Sequence, residues 1–121
     1  LAAALIVEML ARTDDHISHL LEGIYGRIGR LYAEELNVPA TPEMKVLFPR
    51  YLQQTKIQDL AGYPVRQLST LDGFKFYLDD DQWLLIRLSG TEPLLRIFSE
   101  GDSPDKAKAL TAAAQEHLKR L

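Results

Sequence analysis

Between Val65 and Glu100, four runs of strand-forming residues follow one another: 65–69, 74–78, 83–88 and 94–100. The connections between them are only a few residues long. A parallel crossover needs a dozen or more, so these runs can pair only as antiparallel neighbours. In the second run Phe74, Phe76 and Leu78 alternate with Lys75 and Tyr77, the two-residue period of a strand with one buried face. Asp72-Gly73 and Asp79-Asp80-Asp81 have the composition of hairpin turns. The third connection, Ser89-Gly90-Thr91-Glu92-Pro93, differs in kind, because its residues are those that recognise a ligand.

Helical signals flank this block. Ser103-Pro104-Asp105 reads as a cap, a first helical position and a first-turn acid. Ala107, Leu110, Ala114, Leu118 and Leu121 mark the buried stripe that follows, with Lys106, Lys108, Glu116, Lys119 and Arg120 mostly outside it. Upstream, Thr41-Pro42-Glu43 repeats the start signal, and Met44, Leu47, Tyr51 and Leu52 fit a second stripe. Pro49 should kink or restart that helix. Residues 53–64 read as polar and turn-like. Residues 1–11 read as a helix that is apolar on nearly every face and needs partners on several sides, so the opening reads as a cut with further structure upstream. Thr13, Asp14 and Asp15 form a cap region for another helix carrying Ile17, Leu20, Leu21, Ile24 and Ile28, weakened by Gly23, Gly26 and Gly29. Residues 31–38 fit a strand and a helix continuation equally well. The expected fold is α+β: an antiparallel sheet of about four strands with helices packed on one face, over residues 43–121. Residues 29–42, with Gly29, Pro39 and Pro42, read as a linker or hinge, and residues 1–28 as the end of a preceding domain.

In the loop region Arg87 offers a permanently charged, bidentate fork, and Ser89 and Thr91 offer hydroxyl donors. Gly90 lets backbone N–H groups approach a ligand closely. An oxyanion with several acceptor oxygens, a phosphate group above all, suits this set. Charge composition narrows the choice of ligand. Fourteen Lys and Arg stand against 17 Asp and Glu in the 121 residues, a net charge of −3. No basic surface invites nucleic acid or anionic lipid, and an anion must be attracted by local charge. The chain has no cysteine, which removes disulfides, thiolate catalysis and thiolate metal sites and accords with a reducing compartment; a cytoplasmic location is expected. The run 1–11 is too short to cross a bilayer and Glu8 interrupts it, so no membrane segment is expected.

The run Arg87-Leu88-Ser89-Gly90-Thr91-Glu92-Pro93-Leu94-Leu95-Arg96 closely resembles the C-terminal signature of the α-D-phosphohexomutases, which include phosphoglucomutases, phosphomannomutases and phosphoglucosamine mutases. Asp72-Gly73-Phe74-Lys75 resembles the family's hairpin ahead of that motif, Trp83-Leu84-Leu85-Ile86 its preceding strand, and residues 103–121 its closing helix. Residues 1–28 resemble the last helices of the family's third, α/β, domain. The resemblance covers most of the chain but only the last quarter or so of a complete enzyme. Leu88 stands where the family often has Pro, a departure expected to loosen the loop slightly without loss of function.

The resemblance implies a mechanism for the complete protein. A phosphoserine gives its phosphoryl group to a hexose phosphate, the hexose 1,6-bisphosphate intermediate reverses, and the other phosphate returns to the serine, with Mg2+ assisting. The fourth domain holds the phosphate that is not being transferred. The resemblance thus implies Arg87, Ser89, Gly90 and Thr91 as phosphate-binding residues. Arg96 is a weaker candidate, which could instead pair with Glu92 or support the loop. The implied partners are glucose or mannose phosphate and the remaining domains of the same enzyme. No Ser-His-Asn-Pro-like phosphoserine loop, Asp-Gly-Asp-x-Asp-Arg metal loop or Gly-Glu-x-Ser-Gly sugar-selecting loop occurs in these 121 residues. The chain by itself is therefore expected to hold no catalytic residue and no metal ligand, and it does not identify the sugar. A phosphoglucosamine mutase shares the motif. A non-catalytic phosphosugar-binding module and a purely structural domain are the alternatives from other classes.

Each chemical feature has a plainer counterpart. The arginines of the 87–96 loop could serve a structural turn by pairing with nearby acids. His16 and His19 lie three apart on a helix, but without a third ligand at useful spacing they fit a solvated face. His117 fits an exposed helix position. Asp79-Asp80-Asp81 fits an acidic turn better than a cation loop, which needs further ligand positions. Tyr63, Phe74, Phe76, Tyr77 and Trp83 fit core and cross-strand packing better than a base-stacking platform. Lys75 fits both a solvated strand face and a contribution to the anion site.

Overall fold

The strand block forms an antiparallel sheet in the computed structural model, which describes residues 1–79 and 81–121. Asp80, the middle of the expected acidic turn, lies outside the described residues. In chain order the elements are α1 (Ala2–Thr13), α2 (Ile17–Ile28), β1 (Tyr32–Pro39), α3 (Pro42–Gln54), β2 (Asp59–Leu60), β3 (Tyr63–Pro64), β4 (Gln67–Ser69), β5 (Phe74–Tyr77), β6 (Trp83–Leu88), β7 (Leu94–Gly101) and α4 (Pro104–Leu118). The main sheet has five strands in the order β1-β7-β6-β5-β4, and β2 pairs with β3 as a separate short ribbon within the stretch expected to be turn-like.

The strand absent from the expected four is β1. It pairs with β7 along its whole length, from Tyr32 opposite Gly101 to Pro39 opposite Leu94. Its sequence left strand and helix open because β1 is a sheet edge, where Glu34, Glu35 and Asn37 are tolerated and only every second residue is half-buried. Pro39 sits at the end of that edge strand, where a missing N–H costs little. Most of the segment read as a linker, residues 32–39, is therefore sheet. The compact units are Leu1–Arg30 and Leu31–Leu121.

Register divides the sheet into two faces. Phe76 stands opposite Leu84, Phe74 opposite Ile86, Ile86 opposite Ile97, and Leu88 opposite Leu95. These residues, with Leu36 and Val38 of β1, line the side that α3 and α4 cover. Phe48 and Leu52 from α3, and Leu110, Ala114 and Leu118 from α4, complete the core. Truncating one of these buried leucines to alanine costs about 2–5 kcal/mol in comparable cores. The buried Ser99 hydroxyl donates to the Ala107 carbonyl at 2.8 Å, so β7 and α4 are joined by a satisfied polar contact. The other face carries Lys75, Tyr77, Trp83, Leu85, Arg87, Arg96, Phe98 and Glu100, and it forms the ground for the functional site.

Both domain helices begin as their sequences direct. The Thr41 hydroxyl accepts from the Met44 amide, and the Ser103 hydroxyl from the Lys106 amide, with Pro42 and Pro104 in the first turns. Pro49 lies inside α3, so the helix restart that was one of the two expected outcomes does not occur. The helix continues to Gln54 because Phe48 and Leu52, on either side of the proline, anchor both halves in the core. The stripe is also rotated from its expected position: Leu47 is 47% exposed and Phe48 takes the core position. Leu121, expected in the last stripe, lies beyond the end of α4 and is 44% exposed.

In the N-terminal unit, α1 and α2 bury no residue, and Leu5, Val7, Ile17 and Ile24 remain exposed. Asp14 closes α1 in the left-handed conformation, its amide donating to the Leu10 carbonyl. The start of α2 is capped by His16, whose own amide donates to the Asp15 carboxylate. Asp15 thus sits just before that cap, and its hydrogen bonds to His19 and His16 hold its carboxyl below the ordinary carboxylate range.

Candidate functional site

The β6–β7 register places Arg87 directly opposite Arg96 on the face turned away from the helices. Two cations facing one another across an antiparallel pair repel, so this arrangement is unfavourable unless anions neutralise it. Each guanidinium has a carboxylate within reach. Arg87 Nη1 lies 3.3 Å from Asp72 Oδ2, and Arg96 Nη2 donates to Glu92 Oε2. Both pairs are well exposed, and such pairs are worth about 0–1 kcal/mol, little enough for an incoming anion to displace them.

Beside the two arginines lies a cavity of about 320 Å³, bordered also by Ser89, Gly90, Thr91 and Phe98. All five sequence-derived site residues (Arg87, Ser89, Gly90, Thr91 and Arg96) line this one cavity. Leu88, at the position of the family's Pro, packs toward the core and borders the same cavity.

The connection between the strands is fixed by its own hydrogen bonds. The Ser89 amide donates to the Leu94 carbonyl at 3.0 Å, and the Leu94 amide to the Glu92 carbonyl at 2.8 Å. The Glu92 amide donates to Ser89 Oγ at 3.2 Å, so that hydroxyl accepts within the loop and its proton is not used in this bond. The Ala40 amide donates to the Pro93 carbonyl at 2.8 Å, tying the loop to the start of α3. Among the described residues, nothing accepts from the amides of Gly90 or Thr91. A Cβ built on Gly90 meets no atom within 4 Å, so the protein's own packing does not require glycine there. Two consecutive amides without an acceptor among the described residues, two hydroxyls and two guanidiniums thus belong to the residues that border one cavity, and these are donor types suited to an anion.

Gly73 has a role set by backbone geometry. Its φ is +101°, and a Cβ there would lie 2.5 Å from the Ile86 carbonyl oxygen. Only glycine lets this turn close against β6, and the turn carries Asp72 to Arg87.

Several residues take other places than the sequence suggests. Lys75 neither lines the cavity nor stands free in solvent. Its ammonium lies 4.1 Å from the Trp83 ring centroid and 5.0 Å from that of Tyr77, while Trp83 Nε1 donates to Glu100 at 2.9 Å. His117 is half-buried rather than exposed, with its Nδ1 2.8 Å from the Tyr51 hydroxyl; burial lowers its pKa. Asp79 holds Arg66 in a two-point ion pair, which lowers the Asp79 pKa and raises that of Arg66. Among the described residues no group of three or more His, Asp and Glu side chains could hold a metal ion. No helix among them is long and apolar enough to cross a membrane.

Sequence reasoning missed Lys45, whose Nζ donates to the carbonyls of Ser89 at 2.7 Å and Glu92 at 2.6 Å. No local signal could reveal it, because the contact joins positions more than 40 residues apart. Phe98 was equally hidden within a strand run, although its two-residue spacing from Arg96 places both on one face.

Comparison with known proteins places the chain in a family. The family described as phosphoglucomutase/phosphomannomutase, C-terminal domain, matches residues 35–117. The phosphoglucomutase/phosphomannomutase of Thermococcus kodakarensis is 32% identical over 108 residues, covering 89% of this chain and 21% of the relative. A probable phosphoglucosamine mutase of Pyrococcus abyssi is 32% identical, covering 98% of the chain and 24% of the relative. A phosphopentomutase of T. kodakarensis is 28% identical, covering 84% and 22%. The chain thus spans between a fifth and a quarter of the length of these relatives.

Proposed function

The chain belongs to the phosphoglucomutase/phosphomannomutase family as its C-terminal domain, and from that premise we infer that it binds the phosphate of a sugar phosphate in the cavity between Arg87, Arg96 and the 89–91 loop. The observation that carries this reading is the cross-strand pairing of Arg87 with Arg96 beside two amides with no acceptor among the described residues. In the complete enzyme this phosphate is the one not being transferred. Holding it determines which end of the sugar faces the phosphoserine, and release allows the bisphosphate to reverse. The guanidiniums supply charge-assisted hydrogen bonds, each worth about 1.5–3 kcal/mol before the cost of association, so binding to this domain alone is weak.

The activity proposed for the complete protein is intramolecular phosphoryl transfer between the 1- and 6-positions of a hexose phosphate in the cytoplasm, through a hexose 1,6-bisphosphate. Mg2+ supplies charge neutralisation at the transferred phosphoryl group. Its ligands are proposed to come from the remaining domains of the enzyme, on the Asp-Gly-Asp-x-Asp-Arg loop that the resemblance implies there. The chain's own contribution is to bind and orient. Relatives named for glucosamine and pentose phosphates share this domain, which supports a site that reads phosphate and leaves the choice of sugar elsewhere.

That division of labour is testable. Glucose 1-phosphate, mannose 1-phosphate, glucosamine 1-phosphate and inorganic phosphate should bind this chain with dissociation constants within about threefold of one another, a spread below 1 kcal/mol. Arg87→Ala should weaken all of them about tenfold or more. Binding that follows the sugar, or that glucose without phosphate competes away, would contradict the reading.

A further inference from the structure

We propose that Lys45 is a positioning residue for the bound phosphate, acting through the backbone of the 89–92 loop; the proposal rests on the phosphate reading of the cavity. Lys45 lies on α3, on the other side of the loop from the arginines. It borders a second cavity together with Pro42, Gly90, Thr91 and Glu92, and it does not line the cavity of Arg87 and Arg96. The loop backbone is therefore a wall between the lysine and the guest.

Its two hydrogen bonds show what the ammonium does to that wall. Nζ takes the carbonyl of Ser89 at 2.7 Å and that of Glu92 at 2.6 Å, the two residues that bracket Gly90 and Thr91. A carbonyl oxygen carries partial negative charge and would repel a phosphate if it turned toward the cavity. Holding both bracketing carbonyls on the α3 side constrains the intervening peptides, whose Gly90 and Thr91 amides have no acceptor among the described residues. A charge-assisted bond to a neutral carbonyl is among the stronger kinds available for this purpose. The lysine is itself placed by local structure: Thr41 caps α3, the Lys45 amide donates to the Thr41 carbonyl, and Ala40 is tied to Pro93 at the end of the loop. Groups that orient the residues touching a ligand typically change its affinity by about 10–100-fold when removed, as documented around metal sites.

The test uses the 121-residue chain and inorganic phosphate, with Lys45→Met, Lys45→Gln and Lys45→Arg beside Arg87→Ala. Phosphate affinity is read by titration at low salt and at 0.5 M sodium chloride, and the melting temperature is read for every variant. The expected result is about a tenfold loss for Lys45→Met and Lys45→Gln, with partial recovery in Lys45→Arg, which can still donate to both carbonyls. The ratio of variant to wild type should persist at 0.5 M salt, where the field of a distant charge is screened within a few ångströms. If Lys45→Met and Lys45→Gln bind phosphate as wild type does, or if their deficit vanishes in salt, the positioning role is overturned while the phosphate site stands. If Lys45→Met fails to fold, Lys45→Gln and Lys45→Arg decide the same question. If neither wild type nor any variant responds to phosphate, the phosphate reading itself fails and takes this proposal with it.

Discussion

Gly90 is a glycine that the folded chain does not need for itself. Nothing lies within 4 Å of the position a Cβ would take. Gly73 is the opposite case, with a φ of +101° and a Cβ position 2.5 Å from a backbone oxygen. The two alanine variants should therefore separate. Gly90→Ala is expected to leave the melting temperature unchanged and to weaken phosphate binding about tenfold, equivalent to about 1.4 kcal/mol. Gly73→Ala is expected to destabilise the fold by about 1–3 kcal/mol, because it adds backbone strain to a clash. Chemical denaturation and phosphate titration of both variants check this. A Gly90→Ala protein that binds normally would show that no ligand approaches the loop backbone there.

At the scale of elements, α3 and α4 meet through Tyr51 and His117. Burial lowers the His117 pKa, so the neutral imidazole is the form the fold favours. A histidine whose folded pKa lies below its unfolded value of about 6.5 contributes stability above that pH and loses it as pH falls through the folded value. The melting temperature should therefore decline from pH 7 toward pH 5, and His117→Gln should flatten that decline. An unchanged slope would show that the pair is not coupled to folding. Strand runs were legible in the sequence where strand-forming residues follow one another between short turn segments, as in β5, β6 and β7. β1 was not, because an edge strand needs only one partner and admits glutamates. Pro49 misled because the local cost of a proline is overridden by Phe48 and Leu52, which only the tertiary structure brings to the core. Arg87, Ser89, Gly90 and Thr91 were legible because their chemistry is contiguous in sequence. Arg96, the weaker candidate in the sequence, is set opposite Arg87 by register, and Lys45 and Asp72 reach the loop and Arg87 through contacts across the fold that no local pattern records.

For the whole molecule, the fully buried core residues lie between Ala40 and Leu118, with Leu36 and Val38 packed against them, and α1 and α2 bury none of their side chains. A protein comprising residues 31–121 should keep the melting temperature of the full chain within a few degrees and bind phosphate with the same affinity. Loss of cooperative unfolding in that shorter protein, followed by calorimetry, would show that the N-terminal unit contributes to the domain's stability. Whether the Arg87–Arg96 face and its loop hold a phosphate is decided by backbone amide NMR of the 121-residue chain titrated with inorganic phosphate, with Arg87→Ala in parallel. Saturable shifts centred on Ser89, Gly90 and Thr91, lost in the variant, are the predicted result. Shifts scattered over the surface, or unchanged in Arg87→Ala, would contradict it.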